Sequence, residues 1–189
     1  MNSFQELAQS IDWTSLAHAL LRVIGVFLCL TVHETCHGLA AYALGDPTAK
    51  RERRLSLNPL HHIDWFGLAA MLLVGFGWAK PVPVDMRYFK KPKQGMALTA
   101  LAGPASNLLL SVLLLFAARL VLEHYADTAL CAGALDFLLM TAYMSIGLGL
   151  FNLIPISPLD GSKVLFSFLP DRAYMTLMRY EKYGMALLF

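Results

Sequence analysis

The run from Ser15 to Leu44 is almost wholly apolar apart from Arg22 and one pentapeptide, His33-Glu34-Thr35-Cys36-His37. Such a run is long enough to cross a bilayer, which takes about 20 apolar residues in a helix. A charge held at bilayer depth costs roughly 2.5–3.5 kcal/mol on insertion scales, so polar residues there need a reason. Helical geometry supplies one. Residues i and i+4 lie about 40° apart around the axis, so His33 and His37 can bind one metal ion. Glu34 lies about 100° from His33, where it can take a proton from water that the metal polarises. The run therefore predicts a zinc hydrolase with its active site inside the membrane.

Composition agrees. With 57% hydrophobic and 15% charged residues in 189, and a mean hydropathy of +0.55, the chain is too apolar for an ordinary soluble domain. One membrane domain over residues 1–189 is expected, with a catalytic core at 13–163 and a cytoplasmic or interfacial segment at 164–189. A net charge of +2 and the lack of a basic block interleaved with aromatics exclude a nucleic-acid partner. Cys29, Cys36 and Cys131 show no CxxC spacing and read as packing residues. Met1 to Asp12 lacks a basic n-region, so no cleaved signal peptide is expected.

Three stretches are long enough to span: Trp13–Leu44, Met96–Leu122 and Phe137–Ile156. A fourth, Trp65–Trp78, is short and glycine-containing, and suits a re-entrant or partly inserted element. Basic residues cluster in Gly45–Ile63, in Lys80–Lys93 and after Gly161, whereas Glu123–Asp136 is acidic. The positive-inside rule places the basic segments in the cytoplasm and the N-terminus outside. His37 and Asp160 then lie at similar depth toward the cytoplasmic side. The predicted fold is an all-α integral membrane protein: a three-span catalytic core with a re-entrant or β-hairpin element on the cytoplasmic side. The predicted location is a prokaryotic plasma membrane, the lipid bilayer being an obligatory partner.

Two histidines leave a hydrolytic zinc site one protein ligand short. The candidate is Asp160, in Asn152-Leu153-Ile154-Pro155-Ile156-Ser157-Pro158-Leu159-Asp160-Gly161. Its prolines end a span, and Gly161 permits a tight turn.

With these residues in view, the chain resembles the site-2 protease family of intramembrane zinc metalloproteases. The resemblance rests on His33–Gly38 as HExxHG, Gly103-Pro104-Ala105-Ser106-Asn107 as GPxxN, and Asn152–Gly161 as NxxPxxPLDG. Gly45–Lys50, Arg54–Gly67 and Gly77–Val84 are similar to further family stretches, and the likeness covers most of 31–163. It implies one zinc held by His33, His37 and Asp160, with Glu34 as general base. It also implies cleavage of a peptide bond in or beside a transmembrane helix of another membrane protein. No PDZ or nucleotide-sensing module accompanies the core. Ser162 stands where relatives often have a second glycine, and the final apolar run, Met185–Leu188, is too short to span, as in a truncated C-terminal segment.

Asn152 is the candidate donor to the oxyanion, with Asn107 as second choice. Substrate-binding candidates are Trp78, Lys80, Val82, Val84, Asn107 and Pro158. Within them Trp78–Val84 is expected to form an edge strand or hairpin that holds an unwound substrate, since Pro81 and Pro83 confine any strand to an edge. The plainer readings are a turn role for Asp160 and interhelical hydrogen bonds for the asparagines. Gly103 suits close helix approach and Pro104 a kink, while Trp65, Trp78 and Arg51–Arg54 suit interfacial anchoring. His61-His62 belong to a loop, because a di-iron histidine-box enzyme needs more histidines than the 6 present. The rival function is a catalytically silent, zinc-containing membrane protein that binds transmembrane helices without cutting them.

Overall fold

The structure, a computed structural model, describes residues 12–74, 80–126 and 128–180. Its elements are α1 (Trp13–Ala43), α2 (Thr48–Arg51), α3 (Trp65–Val74), α4 (Pro92–Tyr125), α5 (Ala129–Asn152), α6 (Asp160–Ser167) and α7 (Asp171–Tyr180), with short 3-10 turns at Pro59–His61 and Met86–Tyr88. Three helices are long and apolar enough to cross a membrane, over Thr14–Ala43, Pro92–Tyr125 and Cys131–Asn152. Among the described residues the regular structure is all-helical, and the three long apolar helices point to an integral membrane protein.

Local chemistry explains the helix ends. Asp12 caps α1 by accepting from Thr14 N and Ser15 N at 3.0 and 3.2 Å. Pro92 opens α4, where its missing N–H is not needed. The third long helix begins at Ala129 and ends at Asn152, earlier at both ends than the hydropathy reading of 137–156. Asp136 is tolerated near its start, and Pro155 stops it, because a residue before proline avoids helical backbone.

α4 is the central element, packing against α1, α5 and α6. The interior is small and polar while the outside is large and apolar, as expected of a bundle whose solvent is lipid. Thr31, Asn107, Ser111, Thr141 and Ser145 are buried, whereas Leu109, Val112, Leu113 and Phe116 are exposed. Ser145 Oγ donates to Asn107 O at 2.8 Å, tying α5 to α4. The three cysteines are free, and Cys29 Sγ packs 3.6 Å from Thr141 O, in keeping with a packing role.

The predicted fourth element, Trp65–Trp78, falls only partly within the described residues. Residues 65–74 form the short apolar helix α3, and residues 75–79 lie outside the described residues. Among the described residues no β-strand forms. Extended pairing there is limited to a single bridge position at Ile63 and the bond from Lys80 N to His62 O at 2.9 Å. Pro81 and Pro83 remove the donors a longer ladder would need.

Beyond α5 the chain turns through a cis Ser157–Pro158 peptide into α6. The amphipathic α7 is then held over the N-terminal end of α4. Lys93 Nζ donates to Leu169 O at 2.7 Å and pairs with Asp171 Oδ1 at 2.8 Å, and Tyr174 is buried. Met178 of α7 packs on the cluster of Ala41, Phe89 and Met96.

Candidate metal centre

His33 and His37 occupy successive turns of α1 and present their rings to the same side, with centroids 4.5 Å apart. Asp160 reaches them from the first turn of α6. The three ligand atoms form a near-equilateral triangle: His33 Nε2 to His37 Nε2 is 3.0 Å, and each nitrogen lies 3.1 Å from Asp160 Oδ2. Gly161 makes the approach of Asp160 possible. A Cβ there would fall 2.2 Å from Leu153 O. All three ligands are more than nine-tenths buried, and they are the sole such cluster among the described residues.

The chemistry of this triangle calls for a cation. His37 Nδ1 lies 2.7 Å from Thr99 O, a carbonyl that only accepts, so Nδ1 carries the hydrogen. Nε2 then presents a lone pair toward a carboxylate oxygen and a second imidazole nitrogen. Acceptors converging on one point are stable around a metal ion. Three ligands of a zinc tetrahedron with bonds near 2.05 Å stand about 3.3 Å apart, close to the spacing here. The Thr99 carbonyl fixes tautomer and ring orientation, as outer partners of metal-binding histidines do. Lys163 Nζ lies 3.7 Å from Asp160 Oδ1, the oxygen not aimed at the imidazoles.

The triangle opens on a cavity of about 410 Å³ that also takes in Glu34, Val82, Val84, Asn152, Pro158, Lys163 and Met178. Glu34 Oε2 accepts a hydrogen bond from Val82 N at 2.8 Å. Asn152 lines the cavity, with its Nδ2 donating to Leu148 O of its own helix at 2.9 Å. Val82, Val84 and Pro158 of the substrate-binding candidates line it as well. Lys80 lies instead on a neighbouring cavity with Arg53, His61 and Trp65. Asn107 is fully buried between α4 and α5 rather than on the cavity wall, and neither of its amide atoms has a partner among the described residues. Trp78 lies outside the described residues.

Sequence reasoning passed over Thr99, Gly103 as a contact of the imidazoles, Lys163, Met178 and Arg54. Thr99 acts through a backbone carbonyl, which carries no side-chain signature. Met178 reaches the site from α7, far from any motif.

The family model for peptidase family M50 matches residues 21–188. The chain belongs to peptidase family M50. Among its relatives is a protein of Bacillus subtilis strain 168 named "Putative zinc metalloprotease YwhC", 41% identical over 166 residues, covering 86% of this chain and 75% of the relative. The Rip2 protein of Mycolicibacterium smegmatis, under the same description, is 30% identical over 172 residues, covering 87% of this chain and 63% of the relative. Rip2 of Mycobacterium tuberculosis H37Rv is 29% identical over 172 residues, covering 88% and 64%. The chain thus spans less than two thirds of the mycobacterial relatives. No solved structure matches it. Membership of family M50, with the donor set of two imidazoles and a carboxylate, identifies a zinc-dependent hydrolase.

Proposed function

We propose that the chain is an intramembrane zinc endopeptidase that cuts transmembrane segments of other membrane proteins, with its site toward the cytoplasm of a bacterial cell. The observation that carries this reading is the buried triangle of His33, His37 and Asp160 beside Glu34, among three helices long enough to span a membrane. Three basic segments on the side of Asp160 support the orientation.

Zinc held by these ligands would acidify a water molecule and polarise the scissile carbonyl. Glu34 accepts the proton and passes it to the leaving amine. Asn152 donates to the developing oxyanion, after its amide leaves the Leu148 carbonyl. Burial of the ligands excludes bulk water and strengthens each of these interactions. A helical substrate hides its carbonyls in i to i−4 bonds, so it must unwind before it can react. Val82, Val84 and Pro158 receive the extended segment along the cavity wall. Lys80 flanks its approach from the neighbouring cavity, and Asn107 supports the wall from behind.

The test is co-expression of wild type or Glu34→Gln with a panel of single-span reporter proteins, reading cleavage on gels. Wild type should release fragments at least about 100-fold faster than the variant, with zinc content equal in both. Equal fragment yields, or none from either protein across the panel, would favour the helix-binding, non-cutting alternative.

A further inference from the structure

Glu34 is held by a backbone strap, and the strap is held by a buried cation. Arg54 is 5% exposed, and among the described residues it forms no ion pair with a carboxylate. Its Nη2 donates instead to Lys80 O at 2.6 Å and to Pro81 O at 3.3 Å. The Pro81 carbonyl belongs to the same peptide group as the Val82 N–H, which donates to Glu34 Oε2 at 2.8 Å. We propose that Arg54 is a positioning residue for Glu34, acting through the Pro81–Val82 peptide. The proposal rests on the reading of Glu34 as general base.

Three observations converge on it. Prolines at 81 and 83 have no N–H, so Val82 carries the sole backbone donor between Lys80 and Val84. The strap is tied down at both ends, by Lys80 N to His62 O at 2.9 Å and by Asp85 N to Asp46 Oδ2 at 2.7 Å. Its middle is pressed onto α1, where a Cβ added at Gly38 would lie 3.2 Å from Val82 Cγ1.

The physical consequence is directional. A cation on the carbonyl of a peptide group polarises that group and strengthens the hydrogen bond its N–H donates. Arg54 thereby aims and fixes one oxygen of Glu34, leaving the other for proton transfer. A guanidinium buried without a carboxylate is costly, and here one terminal nitrogen, Nη2, serves both adjacent carbonyls.

The test uses the whole chain in detergent with Co²⁺ in place of zinc, and acetohydroxamic acid as the probe. This ligand binds the metal and hands its proton to a nearby base, so its affinity, read from the visible spectrum, reports on the carboxylate without any peptide substrate. Glu34→Gln should weaken binding about tenfold, and Arg54→Gln by a similar factor, with metal content unchanged. In the double variant the second substitution should add nothing, and Arg54→Lys should restore part of the loss. Val82→Pro, which deletes the N–H and keeps Arg54, should reproduce the defect, and serves if Arg54 variants fail to fold. Multiplying effects in the double variant, unchanged affinity in Arg54→Gln or Val82→Pro, or metal loss in Arg54→Gln that Val82→Pro does not share would overturn the proposal. Tighter binding after the strap is loosened would overturn it too, by making the strap an inhibitor. A wild type that takes up no metal would bring down the zinc-hydrolase reading itself, and this inference with it.

Discussion

Gly103 of α4 lies directly against the His37 imidazole: a Cβ at this position would come within 2.4 Å of Nε2 and 2.7 Å of His33 Cε1. The absence of a side chain on one helix is what lets the ligands on another stand where they do. Gly103→Ala should therefore displace both rings while leaving the helices intact. The expected outcome is a fall in activity of about 100-fold or more, the usual consequence of misplacing a reacting group by about 1 Å. Zinc analysis and circular dichroism on the purified variant check it; full zinc and full activity would show that α4 simply moves aside.

Asp160 is the one ligand that α1 does not supply. Purified wild type should carry about one zinc per chain, and Asp160→Ala much less, because two imidazoles alone leave a hydrolytic site a ligand short. Elemental analysis after chelator-free purification decides this. Unchanged zinc in the variant would assign the third ligand elsewhere.

Asn152 stands on the cavity wall with its amide engaged by the Leu148 carbonyl. Asn152→Ala should lower turnover by about 100-fold at unchanged zinc, the scale on which a lost oxyanion donor acts. Zinc loss would instead mark the residue as a structural tie within α5.

His62 is buried beside the strap, with Nε2 bonded to Ser56 O at 2.8 Å. Burial pushes its imidazole below the ordinary 6.5, helped by the Arg54 charge, although the Ser56 carbonyl pulls the other way. The unfolded chain then binds the proton more readily than the folded one. Stability from this group is full above 6.5 and is lost as pH falls through the lowered folded value. Thermal stability should fall as pH drops below 6.5, and His62→Gln should lessen that fall. An equal drop in the variant would place its source in other groups.

Lys93 ties α7 to α4 through Leu169 O and Asp171. The ion pair is largely exposed on the Asp171 side and contributes at most about 1 kcal/mol. Lys93→Ala should loosen α7 and raise limited proteolysis near residue 169, with zinc content untouched. A digestion pattern like wild type would show that buried Tyr174 alone suffices.

Much of this was legible in the chain because lipid demands explicit patterns. The three candidate spans follow from apolar length, the pairing of His33 with His37 from their spacing, and Asp160 as third ligand chiefly from the family resemblance. What escaped were groups whose contribution is backbone or absence: the Thr99 carbonyl, the Val82 N–H and the missing Cβ of Gly103. Arg54 was visible only as one of a basic run, since burial of a single guanidinium leaves no mark on local composition. The hydropathy window misplaced the start of α5 because Asp136 masked its apolar first turns. Of the expected strand or hairpin at Trp78–Val84, only residues 78 and 79 lie outside the described residues, and 80–84 form no strand.

The ligands are contributed by positions 33, 37 and 160, so most of the polypeptide intervenes between the second and the third. During synthesis, α1 enters the membrane with two imidazoles and an unattended carboxylate long before Asp160 is made. Metal capture must wait until α4 has docked and α5 has been inserted and turned back. The full set of three candidate ligands therefore exists only in the completed bundle. On the proposed reading, a copy whose α5 failed to insert would lack the third ligand, since Asp160 follows that span.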